Sequence, residues 1–171
     1  MFSLVQAFLL VESDSFRRLL KFCRPSLSDK DIPHRHTIRA EVLRRAHVAE
    51  GQVRENMQRV PSKISFTFDA WTSGPGDPYL SLTAHYIDAP VDRPSAWALR
   101  SEQLIFQEIQ GRHTGKNMAD ILSRVLDRYG LRGKVGWFTS DGAAVNRTTL
   151  RELQSTSSVQ TGWAAHEHDM L

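Results

Sequence analysis

Residues Ile64 to Phe68 alternate apolar and polar side chains, rich in β-branched and aromatic types. A period of two is incompatible with a helix and predicts a strand with one buried face. The strand delivers a carboxylate, Asp69, at its end, followed by Trp71, Thr72 and Ser73, before Gly74, Pro75, Gly76, Asp77 and Pro78 break the chain. An acid beside a turn at the end of a rigid strand has two readings. It either binds its own backbone as an Asx-turn or presents a functional group at an open edge.

The pattern changes at Pro61. Before it the apolar spacing is helical. Leu4, Ala7, Phe8, Val11, Phe16, Leu19, Leu20 and Cys23 suit an amphipathic helix broken near Ser13 to Ser15. A polar loop from Ser26 to His36 follows. A second helix then runs to about Arg59, with Thr37 as its N-cap and Ile38, Val42, Ala46, Ala49, Val53 and Val60 as its apolar stripe. After Pro61, Tyr79 to Ile87 and Ala96 to Phe106 read as two more strands. Thr114 caps a helix to about Tyr129, with Met118, Ile121, Leu122, Val125 and Leu126 on one face. Lys134 to Ser140 is a short strand, and Asp141 to Asn146 opens a further helix. Three strands joined by short turns make an antiparallel meander, and a strand that follows a crossover helix pairs parallel to an earlier one. The expected fold is α/β, a mixed sheet with helices packed on it, in two regions: helical residues 1–60 and sheet residues 61–171.

Charge separates along the same line. Residues 1–62 carry 11 Lys and Arg against 7 Asp and Glu, a balance of +4, whereas residues 63–171 carry 11 against 12, or −1. The first part is the expected polyanion contact, with Arg39, Arg44 and Arg45 as its candidates; a solvated basic helix face is the competing reading. Cys23 is the single cysteine, which excludes an internal disulfide and a cysteine-built zinc site and points to a reducing compartment. His34 with His36, and His166 with His168, have the donor type of a metal site, but alternate residues on a loop are more often solvated surface. The apolar start to Val11 is too short to span a bilayer.

The chemistry is expected where the sheet gathers acids. If the fourth strand lies beside the first, Asp69 and Asp141 sit at the same sheet edge. Two carboxylates on neighbouring strands can hold divalent cations, which take hard oxygen ligands. A pair of such ions activates a water and stabilises the leaving oxygen of a phosphoryl displacement. For Asp141 the competing reading is a helix N-cap.

Several segments together resemble the core of hAT-superfamily transposases of the BED-zinc-finger and RICESLEEPER-like type. They are Lys63 to Ser73, Tyr79 to Asp88, His113 to Ala119 and Thr139 to Asn146, with Val11 to Arg17 and Pro33 to Ile38 upstream. The resemblance implies an RNase H-like fold and a DDE-type site that cuts and rejoins DNA with Mg²⁺ or Mn²⁺. It makes Asp69 and Asp141 the first two catalytic, metal-binding aspartates and His166 the histidine of a Cys-x-x-His motif whose cysteine is Trp163 here. It further implies nuclear location, DNA as partner and a homo-oligomer as an assembly. The family's third acid, a glutamate beyond a helical insertion, has no counterpart within these residues, nor does a BED zinc finger. The resemblance therefore implies a core truncated at its C-terminus and catalytically incomplete alone. The alternative is a domesticated, non-catalytic DNA- or protein-binding module.

Overall fold

The computed structural model describes residues 8–90 and 92–156. They form two compact units, residues 1–52 and 53–171. The elements are α1 (Asp14–Cys23), α2 (Arg35–Arg59), β1 (Ile64–Thr72), β2 (Pro78–Asp88), β3 (Ala98–Glu108), α3 (Gly115–Tyr129), β4 (Val135–Thr139) and α4 (Ala144–Thr156).

In the first unit a 3-10 turn at Leu10–Glu12 ends where Ser13 turns extended, and α1 begins at Asp14. The break expected near Ser13 is thus present. Helix α2 starts at Arg35, two residues before the expected cap Thr37, because Glu12 reaches across from the preceding segment. Its carboxylate accepts the Arg35 amide at 2.9 Å and lies beside His34. The amide of Arg35 holds the Glu12 carboxyl below the usual carboxylate range. A charged side chain from a distant position has taken the role expected of a local hydroxyl. Along α2 the expected apolar stripe is open to solvent at Val42, and Leu43 and Val48 are exposed beside it.

In the second unit the sheet has the order β3-β2-β1-β4. Strands β1 and β2 are antiparallel, as are β2 and β3, and β4 runs parallel to β1. This is the expected mixed α/β sheet. Alternation decides its faces. Ile64, Phe66 and Phe68 on β1 and Leu80, Leu82, Ala84 and Tyr86 on β2 point into a core shared with Met118, Ile121, Leu122, Val125 and Leu126 of α3 and Leu153 of α4. Each fully buried side chain of this size contributes about 1.5–3 kcal/mol of transfer free energy. The five α3 residues read as one face all lie in this core.

Helix α3 is delimited as its sequence requires. The Thr114 hydroxyl accepts the Asn117 amide at 3.3 Å, and Gly130 closes the helix in the left-handed region at φ 67°. Gly115 lets α3 meet α4 closely, because a Cβ there would lie 2.6 Å from Thr148 Cγ2 and 2.8 Å from the Thr149 nitrogen. The last turn of α2 is tied to the segment between α3 and β4. Lys134 Nζ donates to the carbonyls of Met57, Gln58 and Val60, and Gln58 Nε2 donates to the Tyr129 carbonyl at 3.2 Å. A cation on the final carbonyls also complements the helix dipole.

Two irregularities interrupt the sheet. On β3, Leu82 faces Ile105 but Thr83 faces Gln103, so Leu104 is an extra residue and both Leu104 and Ile105 turn inward. The Leu104 carbonyl is satisfied within the core by the Tyr129 hydroxyl, which donates to it at 3.3 Å. On β4, Ile64 faces Val135 but Phe66 faces Phe138, so β4 takes three steps where β1 takes two. The extra residue falls at Gly136 and Trp137. A Cβ on Gly136 would stand 3.1 Å from the Ile64 carbonyl oxygen, which explains a glycine at this close approach.

Both devices give measurable expectations. Tyr129→Phe leaves a buried carbonyl without its donor and should lower unfolding free energy by about 1–2 kcal/mol in a denaturant titration. Gly136→Val forces side-chain atoms against the β1 backbone and should cost about 1–3 kcal/mol in the same measurement. An unchanged midpoint for Gly136→Val would show that the bulge does not depend on the glycine.

Candidate active site at the parallel strand pair

The bulge in β4 decides where the second acid points. Paired straight from Ile64 and Val135, position 69 would fall level with position 140, and Thr139 and Asp141 would share the inward side of Val135. One inserted residue shifts the register and swaps the faces beyond it. Phe138 then turns inward and stacks on Phe66 with ring centroids 5.0 Å apart, while Trp137 and Thr139 are exposed. Thr139 pairs with Thr67, and Asp69 and Asp141 each lie two residues further on. Asp69 thus lies within β1 and Asp141 just past the end of the parallel neighbour β4, and both are exposed.

Asp69 does not follow the strand as expected; it lies within β1, which continues to Thr72, and pairs with Ser81 on β2. The Asx-turn reading is thereby excluded for Asp69. The turn is closed instead by Ser73, whose hydroxyl accepts the Asp77 amide at 3.0 Å and whose own amide donates to the Asp77 carbonyl at 2.8 Å. Among the described residues no donor engages the Asp69 carboxylate, which is left to solvent.

Asp141 is held. It follows β4, and its Oδ1 accepts the Ala143 amide at 3.1 Å and the Asn146 side-chain amide at 2.5 Å. The competing N-cap reading does not hold: α4 starts at Ala144, and Asp141 makes an Asx-type turn ahead of it. Arg147 Nη1 donates to the Gly142 carbonyl at 2.6 Å and fastens the same loop from the first turn of α4.

The donor chemistry suits a hard cation: one carboxylate within β1 and one just after β4, with the second oxygen of Asp141 free of donors among the described residues. Among the described residues no group of three His, Cys, Asp or Glu side chains gathers around an ion position, at these acids or elsewhere. The zinc reading of His34 and His36 accordingly gains no cluster. His166 and His168, with Trp163, lie outside the described residues.

Around Asp69 the outward face carries groups that the sequence pattern did not single out. His85 Nε2 and Thr67 Oγ1 are 2.9 Å apart, as are His85 Nδ1 and Ser101 Oγ, so the ring bridges β1 and β3 across β2. Trp71, Tyr79 and Phe106 form an aromatic group with centroids 5.4–5.9 Å apart. Their spacing was legible as alternate positions on paired strands, but the register was not. Trp97 and Trp137 are exposed.

The basic candidates lie on α2, and all three are exposed. Glu41 Oε1 accepts Arg44 Nη2 and Arg45 Nε, both at 2.7 Å. Hydrogen bonds from Arg44 and then Arg45 lower the Glu41 carboxyl to about 2. Arg39 has no such partner among the described residues. A cavity of about 390 Å³, lined by Asn56, Arg59, Tyr86, Asp88, Arg100 and Glu102, opens at the far end of β2, away from the two acids. Among the described residues no helix is long and apolar enough to cross a membrane.

Comparison with known proteins agrees with this architecture. Residues 67–167, more than half of the chain, match the family described as the ZBED1 RNase-like domain. The chain is 27% identical over 149 residues to "Putative transcriptional regulator tpeD" of Talaromyces stipitatus, covering 87% of this chain and 17% of that protein. It is 26% identical over 155 residues to "Putative AC transposase" of Zea mays, covering 88% of this chain and 18% of that protein. "Putative AC9 transposase" of Zea mays is likewise 26% identical over 155 residues, covering 88% of this chain and 17% of that protein. The chain thus spans less than a fifth of the length of these relatives. No solved structure matches it. A mixed sheet with one parallel pair, the family match over that sheet and the transposase relatives lead to one assignment: the chain belongs to the ZBED1 RNase-like domain family and is a transposase-derived, hAT-type RNase-like domain.

Proposed function

We propose that Asp69 and Asp141 are the first two carboxylates of a DDE-type site that handles DNA phosphodiesters in the nucleus. The observation that carries this reading is the parallel pairing of β1 with β4, in which Asp69 and Asp141 each follow the Thr67 and Thr139 pair by two residues and both are exposed. Mg²⁺ or Mn²⁺ bound there would supply charge stabilisation at the attacking and leaving oxygens of a phosphoryl displacement. The protein's part is positional. Strand β1 presents Asp69 from a rigid element paired on both sides, and the loop before α4 presents Asp141 with one oxygen occupied and the other free. Two carboxylates leave most coordination positions to water or DNA, and no third acid joins them among the described residues. Cleavage and joining accordingly need a further ligand, and His166 is proposed as a DNA contact.

The paired exposed arginines of α2 favour a second reading, a DNA-binding module without catalysis. One relative of this chain carries a transcriptional-regulator name. In that reading Arg39, Arg44 and Arg45 meet phosphates, and Glu41 competes with DNA for two of them. Because its folded pKa is depressed, the small contribution of these pairings is present above the ordinary Glu range and lost only as pH falls towards about 2.

Two experiments separate the readings. Mn²⁺ titrated into the labelled 171-residue chain should broaden amide signals around positions 69 and 141, and Asp69→Asn or Asp141→Asn should abolish that broadening. The chain alone should show no Mg²⁺-dependent strand transfer on a gel; transferred product would overturn its proposed incompleteness. For α2, Arg44→Ala with Arg45→Ala should reduce the salt slope of DNA binding by about one for each phosphate that is no longer neutralised. Glu41→Gln should raise affinity at low salt, and an affinity unaffected by either change would remove α2 as a DNA contact.

A further inference from the structure

We infer that Asn146 is the positioning residue of Asp141, fixing which carboxylate oxygen is offered to a cation. This deepens the proposed function and rests on that reading of Asp141.

Asn146 lies in the first turns of α4 at 1% exposure. A polar side chain so deeply buried ordinarily satisfies both ends of its amide. Here only one end is used. Nδ2 donates to Asp141 Oδ1, and Asn146 Oδ1 is buried without a hydrogen-bond partner among the described residues. Turning the amide over would set its oxygen against the carboxylate, so the Asp141 charge alone dictates the orientation. A side chain serving the core would not leave an acceptor unsatisfied while spending its donor on an exposed loop. Thr149, one turn further along α4 and fully buried, shows the ordinary solution: its hydroxyl donates to the Val145 carbonyl at 2.8 Å within its own helix.

The consequence for Asp141 is directional. Oδ1 receives two donors, the Ala143 amide and the Asn146 side chain, and they prevent rotation of the carboxylate. Oδ2 receives none among the described residues. The group is thus set to bind a cation through one oxygen, with α4 as the rigid body that aims it. Partners of this kind orient metal ligands, and their loss typically weakens metal affinity 10–100-fold.

The test is Mn²⁺ binding by the 171-residue chain, followed by paramagnetic broadening at a temperature where every variant is folded by circular dichroism. Asp141→Asn should abolish binding. Asn146→Ala should weaken it by about 10–100-fold. Ala143→Pro, an exposed change just before α4 that removes the backbone donor to Asp141 Oδ1, should weaken it in the same direction and decides the matter should Asn146→Ala not fold. Thr149→Val removes a buried polar group from the same helix and should lower thermal stability without changing Mn²⁺ affinity. Wild-type affinity in both Asn146→Ala and Ala143→Pro, with Asp141→Asn still inactive, overturns the positioning role and leaves the metal reading intact. Equal loss in Thr149→Val also overturns it, since the effect would then be loosening of α4. No broadening by the wild-type chain overturns the metal reading itself and the positioning role with it.

Discussion

The pairing of β1 with β4 is the contact on which the second unit depends. It is the one parallel pairing in the described sheet and the one that closes α3 onto the core. A parallel neighbour cannot be reached by a tight turn, so a crossover must intervene. That crossover is α3, whose apolar face covers the inner side of β1 and β2. The pairing carries an added residue at Gly136 and Trp137, and a side chain on the glycine would crowd the Ile64 carbonyl. Inner packing and outer chemistry meet at this bulge: Phe138 goes in to stack on Phe66, and Thr139 comes out beside Thr67.

The two sheet faces consequently have different characters. The inner face is continuous hydrocarbon closed by α3 and α4, with Tyr129 satisfying the carbonyl that the β3 bulge releases. The outer face combines hydroxyls, His85, the Trp71, Tyr79 and Phe106 group and the two acids, and it exposes Leu99, Phe106 and Trp137. An acid is tolerable at Asp69 because the strand's alternation aims it at water, where an unpaired carboxylate keeps its solvation. Asp141 differs in being restrained by α4. One carboxylate is thus fixed by its strand and the other by a tether, which suits ligands that must meet a common ion.

Much of the fold was legible because local patterns and the global fold agree. Alternation from Ile64 to Phe68, the five apolar positions of α3, Thr114 and Gly130 each specified an element without help from elsewhere. The misreadings share a cause. Thr37 was expected to cap α2, but Glu12, more than twenty positions upstream, reaches the Arg35 amide instead. Asp69 was expected to follow its strand, and an N-cap was the competing reading for Asp141. The strand is prolonged by pairing with β2, and the helix begins later because the Asp141 side chain is committed to Ala143 and Asn146. In each case a partner distant in sequence, or a choice between near-equal local hydrogen bonds, decided the outcome.

The sequence by itself determined the element types, their order, the parallel crossover and the two acids as candidates, because periodicity and turn chemistry act over a few residues. Tertiary structure alone decided the bulged register that leads from β4 to Asp141 beside β1. Val135 to Thr139 reads as a straight strand, and straight pairing would turn Asp141 inward. The register shift at Gly136 and Trp137, where a Cβ on the glycine would stand 3.1 Å from the Ile64 carbonyl oxygen, exchanges the faces of the residues that follow. A strand's period of two makes one inserted residue enough to exchange its faces, and such an insertion is set by the partner strand.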